Sequence, residues 1–181
     1  MSRIFIALTP QSGLNKLISK LKKKQKKYAF KNIKINWSQE KQHHITINFI
    51  GSMEPEQKQE MFEALNQQLI FTHLPIEISH FSYFPNENGQ VLIANIALSP
   101  RLKELYGIVE EIVARIGFGM RLKSFKPHIT LARFKEKTRP FTEIIGFDEP
   151  IESVIRSLDV YKSVFESGKT SYTLIKSFRF A

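Results

Sequence analysis

The chain has 181 residues, enough for one domain with a substantial core or for two small lobes sharing one. Its 42% hydrophobic and 24% charged residues are ordinary for a globular protein, and the absence of cysteine excludes a disulfide framework and thiol chemistry. A formal net charge of +10 and a sequence pI of about 9.8 favour a polyanionic partner, because cations near phosphates release counterions.

The elements read in chain order as follows. Residues 3–8 form a strand, and the segment is too short for the apolar region of a signal peptide. Pro10 opens a helix with Leu14, Leu17, Ile18 and Leu21 on one face. Lys20, Lys22, Lys23, Lys24, Lys26 and Lys27 crowd its end, which suits a solvated helix C-terminus or a contact with RNA phosphates. Residues 33–37 and 44–50 are strand-like, the second ending at Gly51. Pro55 opens a second helix, from Glu56 to about Leu69, with Met61, Phe62, Leu65 and Leu69 inward. Residues 76–84 form a strand ended by Pro85 and the Asn86-Glu87-Asn88-Gly89 turn, and 91–98 supply its hairpin partner. A third helix over 102–116 has the cleanest period, Leu105, Ile108, Val109, Ile112, Val113 and Ile116, and Gly117 stops it. A strand over 128–134, a charged linker over 133–139 and a final hairpin of 151–164 with 170–180 complete the chain. Strands outnumber helices and pair by hairpins, so the expected class is α+β with mainly antiparallel sheet. A strand-helix-strand pattern in each half predicts a single domain, 1–181, of two similar lobes flanking a central cleft, with helices packed outside. No apolar run reaches membrane-spanning length, and a cytoplasmic monomer is expected.

One tetrapeptide pattern occurs in each half: His44-Ile45-Thr46-Ile47 and His128-Ile129-Thr130-Leu131. On a strand, His and Thr at i and i+2 share a face while the aliphatic residues point the other way. Two such strands facing each other gather two imidazoles and two hydroxyls around one point. One histidine can act as base and the other as acid on a phosphodiester, with Thr46 and Thr130 donating to the non-bridging oxygens. No cluster has metal-ligand spacing and no Walker or dinucleotide glycine fingerprint is present, so neither metal nor cofactor is expected. His43 precedes His44 and faces away from the cleft, as a surface or supporting residue. His80-Phe81-Ser82 has no following aliphatic stretch and reads as structural, and His73 sits in an exposed loop.

The stretches His44-Ile45-Thr46-Ile47-Asn48-Phe49-Ile50-Gly51 and Phe125-Lys126-Pro127-His128-Ile129-Thr130-Leu131-Ala132-Arg133 resemble the paired signatures of the two-histidine (2H) phosphoesterases. The nearest branch is the LigT-like RNA 2′,3′-cyclic phosphodiesterases, once described as 2′-5′ RNA ligases. The likeness covers nearly the whole chain, including Trp37, Phe84-Pro85 and the closing hairpin through Leu158, Ser163, Gly168 and Tyr172. It implies a bilobal, pseudo-symmetric fold and metal-free hydrolysis of RNA 2′,3′-cyclic phosphate ends, tRNA fragments among them, to a 2′-phosphate. His44, Thr46, His128 and Thr130 would be the catalytic set, and Arg133 would assist at the phosphate. Regular strand parity puts Arg133 on the wrong face, so it must reach round a strand end or follow a bulge. Protonation of the departing 3′ oxygen is assigned to His44 and activation of water to His128. Phe5 is a candidate for stacking a base. Members often carry Trp where this chain has Ile93, so the resemblance assigns no base contact there. The competing readings are making or breaking a 2′-5′ phosphodiester with the same groups, and a non-catalytic RNA-binding module on the same fold.

Overall fold

The computed structural model describes residues 3–10, 18–19, 23, 35–119, 125–135, 150–166 and 169–181. The strands among them are β1 (Arg3–Leu8), β2 (Ile35–Trp37), β3 (Ile45–Gly51), β4 (Leu74–Phe84), β5 (Val91–Ile96), β6 (His128–Phe134), β7 (Ile151–Ile155), β8 (Ser157–Glu166) and β9 (Lys169–Arg179). The helices are α1 (Pro55–Gln68) and α2 (Pro100–Arg115), and a 3-10 turn covers Glu40–Gln42. The class is α+β with antiparallel pairing throughout, as expected. No helix among the described residues is long and apolar enough to cross a membrane.

All strands join one sheet in the order β7-β4-β5-β6-β3-β1-β8-β9, with β2 added beside β6. The order is symmetric: four strands lie on each side of the boundary between β3 and β6, the two strands that carry the His-x-Thr motifs. That boundary is held by a single pair, Ile45 with Ile129. The sheet cannot be flat. With β7 first and β8 seventh in the order, a flat sheet would separate them by roughly 28 Å at ~4.7 Å per strand. Only Arg156 lies between them, and two residue steps span at most roughly 7 Å. The sheet therefore curls until its first strand meets its seventh, and Phe180 N–H donates to Arg156 O (2.9 Å) at that corner. The core is accordingly continuous, with Ile6, Leu8 and Ile45 of one half packed in the same cluster as Leu92, Ala94 and Ile129 of the other.

Both helices begin where local chemistry dictates. Ser99 caps α2 by accepting from Leu102 N–H (3.2 Å), and proline occupies the first turn of each helix. Leu102, Leu105, Val109, Ile112 and Val113 of α2 and Met61 and Leu65 of α1 are buried. Glu110 breaks the apolar pattern: it is buried and accepts from the Asn48 amide of β3, tying that strand to α2.

The expected final hairpin is corrected at its first strand. Residues 151–155 form β7 and pair with β4, while the hairpin proper is β8 with β9. The strand beginning at His44 starts one residue later, because the ladder with β1 opens with Leu8 opposite Ile45. His43 is buried, which fits the supporting rather than the surface alternative. Ile18 is helical and buried and Lys23 helical and exposed; the rest of the first expected helix and of the lysines from 20 to 27 lies outside the described residues. So do residues 136–139 of the charged linker and the hairpin tip at 167–168.

The buried Asn48–Glu110 link generates a stability prediction. Asn48→Ala strips a partner from a buried carboxylate and is expected to cost about 1–3 kcal/mol in urea unfolding. A variant as stable as the parent would contradict it.

Candidate active site

The two motif strands share an irregularity that parity alone does not reveal. Between β1 and β3, Ala7 faces Thr46 and Ile6 faces Asn48, so Ile47 is an extra residue. Between β5 and β6, Ile93 faces Thr130 and Leu92 faces Ala132, so Leu131 is the extra residue. Each strand thus carries a β-bulge immediately after its threonine, and the side-chain alternation shifts by one there. The burial pattern agrees: Ile47 and Asn48 are both inward, as are Leu131 and Ala132, and the next residues, Phe49 and Arg133, are exposed. Arg133 follows a bulge and lies on the face of His128 and Thr130. Phe49 is its counterpart beside His44 and Thr46. The Leu131 carbonyl accepts from Ser38 N–H (2.9 Å), which extends the β2–β6 register by one residue.

The Ile45–Ile129 pair fixes how the motifs meet. Continuing that antiparallel register by one residue sets His44 opposite Thr130 and Thr46 opposite His128. Opposite residues on one face have Cβ atoms about 4.5–5.5 Å apart, and diagonal ones roughly 7–8 Å. The two histidines are diagonal neighbours, a spacing that leaves room for one phosphate between their rings. The backbone orients both rings identically. His44 Nδ1 is 2.7 Å from Gln42 O, and His128 Nδ1 is 2.8 Å from Lys126 O, each two residues back. A carbonyl only accepts, so each Nδ1 carries a hydrogen and each Nε2 is left to take or give the proton.

The flanks differ. His128 stacks on Phe84 (centroids 4.7 Å, 24°). Gly89 shapes the turn beyond Phe84, where any Cβ would overlap the Phe84 carbonyl. His44 packs against Phe5 (5.1 Å) and edge-on to Tyr172 (5.3 Å), and Phe5 stacks in turn on Tyr161 (5.3 Å) and Phe49 (6.1 Å). Phe5 is only 2% exposed, so its ring has no open face for a base. The base-stacking expectation is corrected: Phe5 is the floor, and the open ring beside it is Phe49, 40% exposed. Ile93, buried opposite Thr130, offers no ring either. Behind the floor lies a polar knot. Buried Asp159 accepts from Thr9 Oγ1 (3.1 Å), Tyr161 OH (3.3 Å) and Ser177 Oγ (2.6 Å). Burial, and secondarily the Asp159 charge, raise the Tyr161 pKa, keeping it a neutral donor.

Phe49, Tyr161 and Asp159 were given no role from sequence, and Tyr172 entered only as part of the closing hairpin. Phe49 had a signal: it stands five residues after His44, as Arg133 stands five after His128. His73 and His80 are exposed, and neither enters the site. Burial lowers the His44 pKa below the usual 6.5, the His128 charge adds to this, and the bond to Gln42 opposes it. His44 is therefore biased toward the neutral form at pH 7, the state of a base. This runs against the acid role assigned to it from sequence.

Two bulged His-x-Thr strands thus meet at one pair and present matched imidazoles on a common face. In comparison with known proteins, residues 7–93 match the family described as LigT like phosphoesterase, a stretch that includes the first motif. The chain is 25% identical to an RNA 2′,3′-cyclic phosphodiesterase of Methanocaldococcus jannaschii, covering 96% of this chain and 98% of that protein. It is 26% identical to one of Thermotoga maritima, covering 98% and 95%. Among solved structures, TT0787 of Thermus thermophilus has a TM-score of 0.75 at 21% identity, covering 98% of this chain and 97% of that one. E. coli LigT complexed with 3′-AMP has a TM-score of 0.69 at 17% identity, covering 99% and 98%. The chain is thus similar in sequence to LigT-like phosphoesterases and shares the fold of these solved structures.

The His44 electrostatics can be read by NMR. Its imidazole is expected to titrate below pH 6.5, and His128→Ala is expected to raise that midpoint, because a lowering charge is removed. A His44 midpoint above 6.5 in the parent would contradict the account.

Proposed function

We propose that this protein hydrolyses RNA 2′,3′-cyclic phosphate ends to 2′-phosphates. The observation that supports the reading is the crosswise register of the motifs, with each Nδ1 on a backbone carbonyl and each Nε2 left for the phosphate. Neutral His44 takes a proton from water as the water attacks phosphorus. The P–O3′ bond breaks, and His128, protonated, gives its proton to the departing O3′. Solvent then exchanges the two protons back. Thr46, Thr130 and Arg133 hold the equatorial oxygens, where negative charge grows in the transition state. These groups supply acid, base and anion stabilisation without a metal, and the described residues offer no group of three His, Cys, Asp or Glu side chains able to hold one. Phe49, position-equivalent to Arg133 in the other motif, is the ring available to the terminal base. The names of the relatives support this substrate class, and the charge of +10 supports RNA over a neutral ligand. We place the work in the cytoplasm, in line with a chain free of cysteine, and in a single copy of the chain folded as one domain of two lobes.

The test is product analysis on an oligonucleotide ending in a 2′,3′-cyclic phosphate. The expected product carries a 2′-phosphate, and turnover survives excess EDTA. His44→Ala and His128→Ala are each expected to lower kcat by about 10²-fold or more. Thr46→Ala and Thr130→Ala are expected to cost at most roughly 2–4 kcal/mol in the barrier, the scale of one lost anion donor. Near-parental turnover in either histidine variant, or loss of activity on chelation restored by a divalent ion, would overturn the reading.

A further inference from the structure

Beyond its contact with β1 the β8–β9 pair continues as a two-stranded ribbon. Among the described residues β1 pairs with β8 as far as Arg3 opposite Ser163, while β8 and β9 stay paired to Glu166 opposite Lys169. β8 meets β1 without a register shift, so Asp159, Tyr161, Ser163 and Phe165 alternate onto the face of Phe5 and His44. Their partners on β9 at the ribbon end, Leu174, Tyr172 and Thr170, share it. The ribbon returns to the site: Gln42 Nε2 donates to Thr170 O (3.2 Å), and the carbonyl of the same Gln42 orients His44. Phe165, directly opposite Thr170, is 70% exposed, and Leu174 is also exposed. Phe165 is thus a large exposed aromatic near the end of a narrow ribbon, on the face of the candidate site.

The charge on this face selects the occupant. Among the described residues of β1, β8 and β9 that point this way, Arg3 and Arg179 are exposed cations, and the one acid, Asp159, is buried under three hydroxyl donors. Glu166 alternates to the opposite face. An exposed ring with Arg3 nearby, continuous with the candidate site, matches single-stranded nucleic acid, whose bases stack on aromatics while its backbone follows positive charge. Resting on the function proposed above, we propose that the ribbon is a second nucleotide subsite: Phe165 stacks the base of a nucleotide preceding the cyclic-phosphate end, with Arg3 facing its phosphate. The enzyme is thereby a reader of single-stranded ends rather than of isolated nucleotides.

The experiment compares kcat/KM on a nucleoside 2′,3′-cyclic phosphate with that on a single-stranded hexanucleotide bearing the same end. In Phe165→Ala the hexanucleotide value is expected to fall about 5- to 100-fold, the scale of one lost base stack, while the mononucleotide value stays within about twofold of the parent. Phe165→Trp is expected to retain the preference. Equal losses on both substrates, or an unchanged hexanucleotide value, would overturn the subsite; the second result would leave the ribbon free for a protein partner. If the parent turned over neither substrate, the proposed reaction itself would fail. Equilibrium binding of the hexanucleotide, weakened or not by Phe165→Ala, would then decide the subsite by itself.

Discussion

One residue pair, Ile45 with Ile129, holds the two halves of the sheet in register, and the candidate site depends on it. Strand side chains have a period of two, so moving that pair by one residue would turn the histidine and threonine of one strand toward the core. Moving it by two would leave each histidine facing no threonine. The aliphatic residues on either side secure it, since Ile45, Ile47, Ile129 and Leu131 all sit in the common core. The curl of the sheet, forced by the one-residue passage through Arg156, brings the outer strands together and closes that core.

On this symmetric frame the asymmetry is chemical. The bulges re-aim positions five residues after each histidine, and one holds Phe49 where the other holds Arg133. An aromatic on one side and a guanidinium on the other give the site a direction that two identical motifs could not. The same holds for the histidines. His44 lies on a floor of Phe5 and Tyr172 that shields it from water and disfavours its charged form, whereas His128 has Phe84 as its ring neighbour. Identical backbone orientation with unequal surroundings lets two copies of one motif differ in proton affinity, as the proposed acid and base roles require.

Much of this was legible in the sequence because its causes are local. The α2 period, the proline at the start of α1 and the His-x-Thr alternation each follow from spacing alone, and they anticipated these elements closely, although α2 begins two residues earlier, at Pro100. The doubled motif also anticipated the likeness to LigT-like phosphoesterases. What was not legible depends on pairing. β7 looks like the start of the last hairpin because residues 151–164 form one apolar-rich run, and only its partner β4 separates it from β8. The bulges leave no mark in composition, so the face of Arg133 could only be posed as a question. Phe5 was read as a free ring because its burial comes from Tyr161, Tyr172 and Phe49, residues brought to it by three different strands.

The central claim is that one anion is shared by both imidazoles. Its most direct test is to follow the His44 and His128 side-chain resonances by NMR while inorganic phosphate is added. The account predicts that both shift together, with a single midpoint and one phosphate per chain. Response of one histidine alone, or of the two at different midpoints, would contradict it.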